Sequence, residues 1–346
     1  MTRPLAVRFA EQAEQCRSHG SPLTACLLDG AAAELPVPGP VRDLLQPLET
    51  DPPGSVASLR FTGALHRLVL ERRAPRLALH YPSVGGTAGI EGAWEAAREV
   101  VRDEPRLPGL VRAPVQTNEV GRSAVLYGGL QHVAAGTGLP VRLLEIGASA
   151  GLNLHVDAYA YEVGDRVLGD PASAVRLRQP WWGALPPDAA LRIADRLGCD
   201  PAPLDPASTP DRLTLTSYVW ADQVERLERL RGALAVAARV PARVERLPAS
   251  AFLARELAAP VPGVATVVWH SVVWQYLDPA ERDAVTGLLQ AAGERATREA
   301  PLARLSLEPD RPGEDGRFVV ELTTWPGGHR RVLADAHGHG PPVHWA

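Results

Sequence analysis

The sequence contains no lysine, so all 36 of its basic side chains are arginine. Several enzyme classes are excluded at once. A P-loop NTPase needs its Gly-Lys-Ser/Thr, a protein kinase its strand lysine, and a Schiff-base enzyme an amine. A GC-rich coding preference accounts for the arginine bias and for 31 glycines and 33 prolines, which weakens both residues as turn signals. Cysteine is scarce: Cys16, Cys26 and Cys199 have neither pairing arithmetic nor metal-ligand spacing. Formal charge is -4 with arginines and acids interspersed, so no polybasic face points to nucleic acid or an anionic membrane. A small-molecule partner is expected. No apolar run approaches the roughly 20 residues that span a bilayer, and the opening MTRPLAVRFAEQ lacks the apolar core of a signal peptide. The expected location is cytoplasmic.

What is present is 45% hydrophobic residues over 346 positions, enough for a substantial core. Residues 1–115 read as an N-terminal helical domain, with an amphipathic opening (Val7 to Ser18), then GPVRDLLQPLE and SLRFTGALHRLVLERR. A further helix starts near Thr117 or Asn118, either of which suits an N-cap. From Val141 the pattern changes to apolar strands alternating with helix-length segments, which predicts an α/β domain over 116–346 with a mostly parallel sheet. Strands are expected at Arg142 to Ile146, Leu191 to Arg196, Arg243 to Leu247, Ala265 to His270 and Ala303 to Glu308. Helices are expected at Ala150 to Ala158, Ala221 to Arg239, Ala249 to Leu257 and Pro279 to Ala300. FVVELTTW, PGG and HRRVLADA read as a closing antiparallel hairpin. An insertion, 159–187, carries a hairpin turning at Gly164-Asp165 and an exposed-looking PWWG.

The stretch VRLLEIGASAGLNL (Val141 to Leu154) admits two chemistries. As acid-x-Gly-x-x-x-Gly it is a cofactor loop; as Gly-x-Ser-x-Gly it is the nucleophile elbow of a serine hydrolase. The hydrolase order Ser, acid, His is filled by Ser149, then Asp315 or Asp335, then His337, His339 or His344. An elbow serine, however, tops a mid-sheet strand after several earlier strands, whereas this turn follows the first one. That is where a doubly wound fold places its cofactor loop. Glu145, at the end of a buried strand, also needs a polar group to use it. The turn is therefore expected to hold a cofactor through Glu145, Gly147, Ser149, Gly151 and Asn153.

LLEIGASAGLNL, VQTNEVGRSA, RLGCDPAPLD, SYVWADQVERL, GVATVVWHSVVWQYL and LTTWPGG with HGHGPPVHW together resemble a bacterial family of unknown function, number 2332, over nearly the whole chain. The resemblance implies a Rossmann-like core related to class I S-adenosylmethionine-dependent methyltransferases, and brings no established reaction. Family members often show a Gly-Asp-Ala type sequence where this chain has RLPASAFL, which leaves Ser250 as the substitute at the adenine.

The remaining candidates flank that loop. Asn118, Glu119 and Arg122 lie just upstream, with Arg122 suited to a bidentate carboxylate clamp or to a surface salt bridge. Asp200 and Asp205, or by spacing Asp170, stand where a ribose-binding acid is expected. VVWHSVVWQYL places His270, Ser271, Gln275 and Tyr276 where the fourth strand runs out, with His270 and Tyr276 as catalytic candidates and Ser271 and Gln275 as substrate contacts. HGHGPPVHW reads as a flexible tail, and no metal is expected. The resulting expectation is a methyltransferase acting on a small molecule. The alternatives are a non-catalytic ligand-binding protein on a degenerate Rossmann core and a serine hydrolase using Ser149.

Overall fold

The computed structural model describes residues 3–51, 56–310 and 317–346. The chain divides into two compact units, residues 1–117 with 208–228, and residues 118–207 with 229–346.

The first unit is helical, as its sequence predicts. Its N-terminal segment forms α1 (Leu5–Ser18), α2 (Pro22–Glu34), α3 (Pro40–Leu45), α4 (Ala57–Leu70), α5 (Pro75–Ala78), α6 (Ala93–Asp103) and α7 (Leu107–Arg112). In α1 the buried residues Leu5, Phe9, Ala13 and Cys16 recur at helical spacing and form the face that packs into the core. Residues 208–228 join this unit through specific bonds. Asp222 accepts from Ser21 Oγ (2.5 Å) and the Leu23 amide (2.9 Å), and Arg67 donates to Pro210 O (2.8 Å) and Thr214 Oγ1 (2.7 Å).

The second unit is an α/β structure. It holds α8 (Ser123–Thr137), α11 (Ala249–Glu256) and α12 (Pro279–Glu294); α9 (Thr209–Ser217) lies in the first unit and α10 (Val224–Ala237) runs from one into the other. Its main sheet is built from β1 (Val141–Ile146), β5 (Trp181–Gly183), β6 (Ile193–Asp200), β7 (Arg243–Arg246), β8 (Ala265–Ser271), β9 (Leu302–Pro309), β10 (Phe318–Trp325), β11 (His329–His337) and β12 (Gly340–Trp345). The order is β5-β12-β11-β10-β9-β8-β1-β6-β7. Strands β9, β8, β1, β6 and β7 run parallel, and β10, β11 and β12 continue as an antiparallel meander. A core of Leu144, Ile146, Phe252, Leu253, Val268, Val285 and Leu289 joins the parallel strands to α11 and α12. A second sheet, β3-β2-β4, comes from β2 (Ala160–Val163), β3 (Arg166–Gly169) and β4 (Arg176–Arg178), with the expected hairpin between β2 and β3.

Several boundaries differ from expectation. The segment 150–158 is not an α-helix but a 3-10 helix over Leu152–Ala158, kinked at His155. Its carbonyls are diverted to side chains: Tyr159 OH bonds Leu152 O at 2.5 Å and Arg196 bonds Leu154 O at 2.9 Å. The helix expected at Thr117 or Asn118 begins at Ser123 after a 3-10 turn, Val120–Arg122, because Asn118 is committed to another loop. Strand β6 lies later than expected, since 197–200 is its buried half and 193–196 its exposed half. Helix α12 stops at Glu294, six residues short of Ala300, where Thr297 Oγ1 instead accepts from the Ala300 amide (3.1 Å). PWWG is half packed: Trp181 is buried in β5 and stacks on Tyr161, while Trp182 is exposed. The expected flexible tail is β12, which pairs with β11 and with β5.

Candidate functional site

Strand β1 brings Glu145 to the end of the sheet with 3% of its surface exposed. Burial penalises the carboxylate and pushes its pKa up to about 8. Hydrogen-bonding contact with the Trp269 side chain, the Arg122 charge and contact with Asn153 ease that shift, and the Asp200 charge adds to it. The contacts within this trio are loose: Glu145 Oε2, Asn153 Oδ1 and Trp269 Nε1 are buried and make no hydrogen bond of good geometry.

The turn after β1 has a left-handed backbone at Gly147 (φ 69°), Ser149 (φ 52°) and Gly151 (φ 71°). Its glycines are required by packing as well. A Cβ on Gly147 would lie 2.3 Å from Val273 Cγ2, and one on Gly151 would lie 2.6 Å from Val244 Cγ2. Asp200 anchors the turn to the end of β6, accepting from the Ser149 amide (3.0 Å) and from the Ala202 amide (2.8 Å). Asp200 therefore shapes the loop with both oxygens.

The residues upstream of α8 close over the same turn. Asn118 Oδ1 accepts from the Leu152 amide (2.9 Å), and Asn153 Nδ2 donates to Glu119 O (3.3 Å). Asn118 and Asn153 are the only two asparagines of the chain, and both tie these segments together. The Glu119 carboxylate accepts from the Gly121 amide at 2.9 Å. Arg122 donates to Gly338 O (2.8 Å) and Ser271 O (3.2 Å), so it clasps backbone carbonyls from the ends of β11 and β8.

At the end of β8, His270 is fully buried. Its Nε2 accepts from Arg304 Nε at 3.0 Å, and because guanidinium only donates, Nδ1 carries the proton to Glu308 Oε1, 2.7 Å away. Glu308 Oε1 also faces the amides of Val273 (3.1 Å) and Trp274 (3.4 Å). Trp274 stacks on the imidazole at 5.1 Å, and the Arg304 guanidinium lies over its ring at 4.6 Å. Desolvation lowers the His270 pKa, with Glu308 opposing and Arg304 reinforcing that shift. Beyond it Val272 has φ 53°, and Gln275 and Tyr276 are exposed on a 3-10 turn.

Glu145, Ser149, Asn153, Asp200, Asn118, Glu119, Arg122 and Ser271 are thus linked around one strand end, with Gln275 and Tyr276 beyond β8. The other candidates turn to partners of their own. Asp205 accepts from the Ala207 amide (2.8 Å), Asp170 from the Ala172 amide (2.9 Å), and Ser250 bonds Glu281 through its amide and hydroxyl (2.8 Å each). Of the hydrolase candidates, Asp335 is paired with Arg317, His344 packs on Trp182, His337 and His339 pack on each other, and Asp315 lies outside the described residues. No group of three or more His, Cys, Asp or Glu side chains able to hold a metal ion occurs among the described residues. Sequence reasoning missed Arg304, Glu308 and the role of Trp269. The period-2 pattern of RLSLEP places Arg304 and Glu308 on one face, but their relation to His270 needs the β8–β9 register, His270 opposite Ser306.

A family model described as "Uncharacterized protein conserved in bacteria (DUF2332)" matches residues 6–345. The chain belongs to this bacterial family. No curated protein and no solved structure matches it. The DUF2332 match includes both compact units and every residue of the site. Among the described residues of this DUF2332 chain, no helix is long and apolar enough to cross a membrane.

Proposed function

We propose that the chain binds S-adenosylmethionine at the end of β1 and transfers its methyl group to a small molecule. The observation that carries this reading is the buried trio at that strand end: Trp269 and Asn153 face the Glu145 carboxyl closely enough to lower its pKa, yet Glu145 Oε2, Asn153 Oδ1 and Trp269 Nε1 make no hydrogen bond of good geometry. Two acceptor oxygens and one donor suit the ammonium and carboxylate of an amino-acid end, and an arriving cation would ionise Glu145. Position supports it. Counted along the chain, the five parallel strands β7-β6-β1-β8-β9 stand in the order 3-2-1-4-5, the order of a Rossmann half-sheet and its continuation. Chain direction across the sheet reverses between β1 and β8, and open α/β sheets bind ligands in that crevice, beyond the carboxyl ends of the strands.

When bound, the cofactor supplies an electrophilic methyl group. Glu145 and Asn153 would hold its ammonium, and Asp200 would keep the turn in its left-handed form. His270 has both nitrogens engaged and serves as a positioning residue that stiffens the end of β8. Gln275 and Tyr276, exposed beyond it, are placed to meet a substrate. Alignment in a dry site contributes several kcal/mol to such a reaction.

Calorimetric titration with S-adenosylmethionine and its demethylated product, in buffers of differing ionisation enthalpy, tests the proposal. Binding at pH 7 releases close to one proton and at pH 9 close to none, and Glu145→Gln abolishes the release. Absence of binding by both ligands at high micromolar concentration sinks the reading. Binding without turnover of any small nucleophile identifies a ligand-binding protein. The hydrolase reading keeps one supporting feature, the strained φ of 52° at Ser149. Fluorophosphonate labelling that disappears in Ser149→Ala would favour it.

A further inference from the structure

A second cleft, of about 590 Å3, lies at the opposite end of the parallel strands. It is bordered by the first residues of β8 and β9, Ala265 and Leu302, so the seven residues of β8 separate it from the Glu145 turn. At roughly 3.3 Å per residue that is about 20 Å. Its size suits a small organic ligand.

Its charge is one-sided. Three cationic or titratable side chains line it, His132 from α8, Arg298 from the loop before β9, and Arg331 from β11, and no Asp or Glu is among the described residues that line it. Neither Arg298 nor Arg331 has an acidic partner among the described residues. The chain as a whole carries -4, so this is local patterning and not an overall excess of cations. Strand alternation explains it. Arg331 pairs with Leu322 across β10 and β11 and shares its face of the sheet, whereas the adjacent Glu321 faces the other way and pairs with Arg330. Glu321 is thereby turned away from the cleft. The rest of the wall mixes the apolar side chains of Val133, Leu302, Leu322 and Trp325 with those of Thr137 and Thr324. The His132 ring is held against Trp345, 5.6 Å between centroids; burial first and then the Arg331 charge lower its pKa, and a bound anion would offset the Arg331 part.

We propose that this cleft is a binding site for an organic oxyanion, a phosphate or carboxylate head on a flat apolar body. The head is held by Arg298 and Arg331, and the body lies against Leu302, Leu322 and Trp325. Arginine recognises both kinds of head through paired N-H groups. The site stands apart from the strand end that holds Glu145 and does not depend on the reading given to it.

Phenyl phosphate, benzoate, inorganic phosphate and phenol, titrated against the full chain by calorimetry and tryptophan fluorescence, test the proposal. Phenyl phosphate or benzoate saturates the site, and the tighter of the two identifies the head group. Inorganic phosphate and phenol bind at least tenfold more weakly. Arg298→Ala and Arg331→Ala each weaken binding at least tenfold with Tm unchanged, and Trp325→Phe removes the fluorescence response. Arg330→Ala, on the opposite face, leaves affinity as it was. Failure of both aryl oxyanions to saturate, equal binding of phenol, or equal loss in Arg330→Ala overturns the proposal.

Discussion

His270 and Glu308 face each other across two adjacent parallel strands, with Nδ1 and Oε1 2.7 Å apart. Because Arg304 donates to the other ring nitrogen, the imidazole is held neutral and in one tautomer. Its folded pKa lies below the ordinary 6.5. The unfolded chain therefore takes up the proton first, and the contribution to stability is full above 6.5 and is lost progressively as pH falls from 6.5 through the lower folded pKa. Nitrogen-detected NMR should find His270 unprotonated at Nε2 at pH 7.5, and Glu308→Gln should shift that signal. A ring protonated at Nε2 and bare at Nδ1 at that pH refutes the assignment.

Glu145 gives the opposite slope. Its folded pKa of about 8 is raised from 4.5, so between those values the folded state holds a proton that the unfolded chain has released. Stability is full below 4.5 and falls as pH rises to 8, by on the order of 5 kcal/mol. Urea melts of wild type and Glu145→Gln should coincide near pH 4 and diverge by pH 8 with the variant more stable. Parallel curves across that range contradict a buried, protonated glutamate.

The parts legible in sequence were those set by local pattern. The helical first unit, the β10–β11 hairpin and the cap of α12 at Asp278 follow from apolar period, PGG and an Asp-Pro start. The segment 208–228 was misplaced because Asp222, Pro210 and Thr214 join the first unit by long-range bonds that no period encodes. In the site, Glu145 and Asp200 were recognisable as acids at strand ends. Their division of labour was not, since a buried acid that holds its proton and one spent on the Ser149 amide look alike in sequence.

The glycines of the turn carry structural weight of their own. Valine at Gly151 meets Val244 at 2.6 Å and a φ of 71° that a β-branched residue resists. Gly151→Val should lose about 3 kcal/mol or more, read as a fall in the urea midpoint. Unchanged stability would mean that the turn relaxes away from β7.

Asp200 links the turn to the titration of Glu145. Its carboxylate holds the Ser149 and Ala202 amides, and its charge helps to keep Glu145 protonated. In Asp200→Asn the amide nitrogen of the new side chain must face one of those N-H groups, which costs about 1–3 kcal/mol. The charge is lost as well, so the Glu145 pKa falls and the pH range over which stability is lost ends below 8. Two independent measurements follow, a lower urea midpoint near pH 5 and a divergence between Asp200→Asn with and without Glu145→Gln that levels off at lower pH than in the wild-type background. A lower midpoint with no change in where that divergence levels off would mean that Asp200 acts on the loop alone, with Glu145 titrating outside its influence.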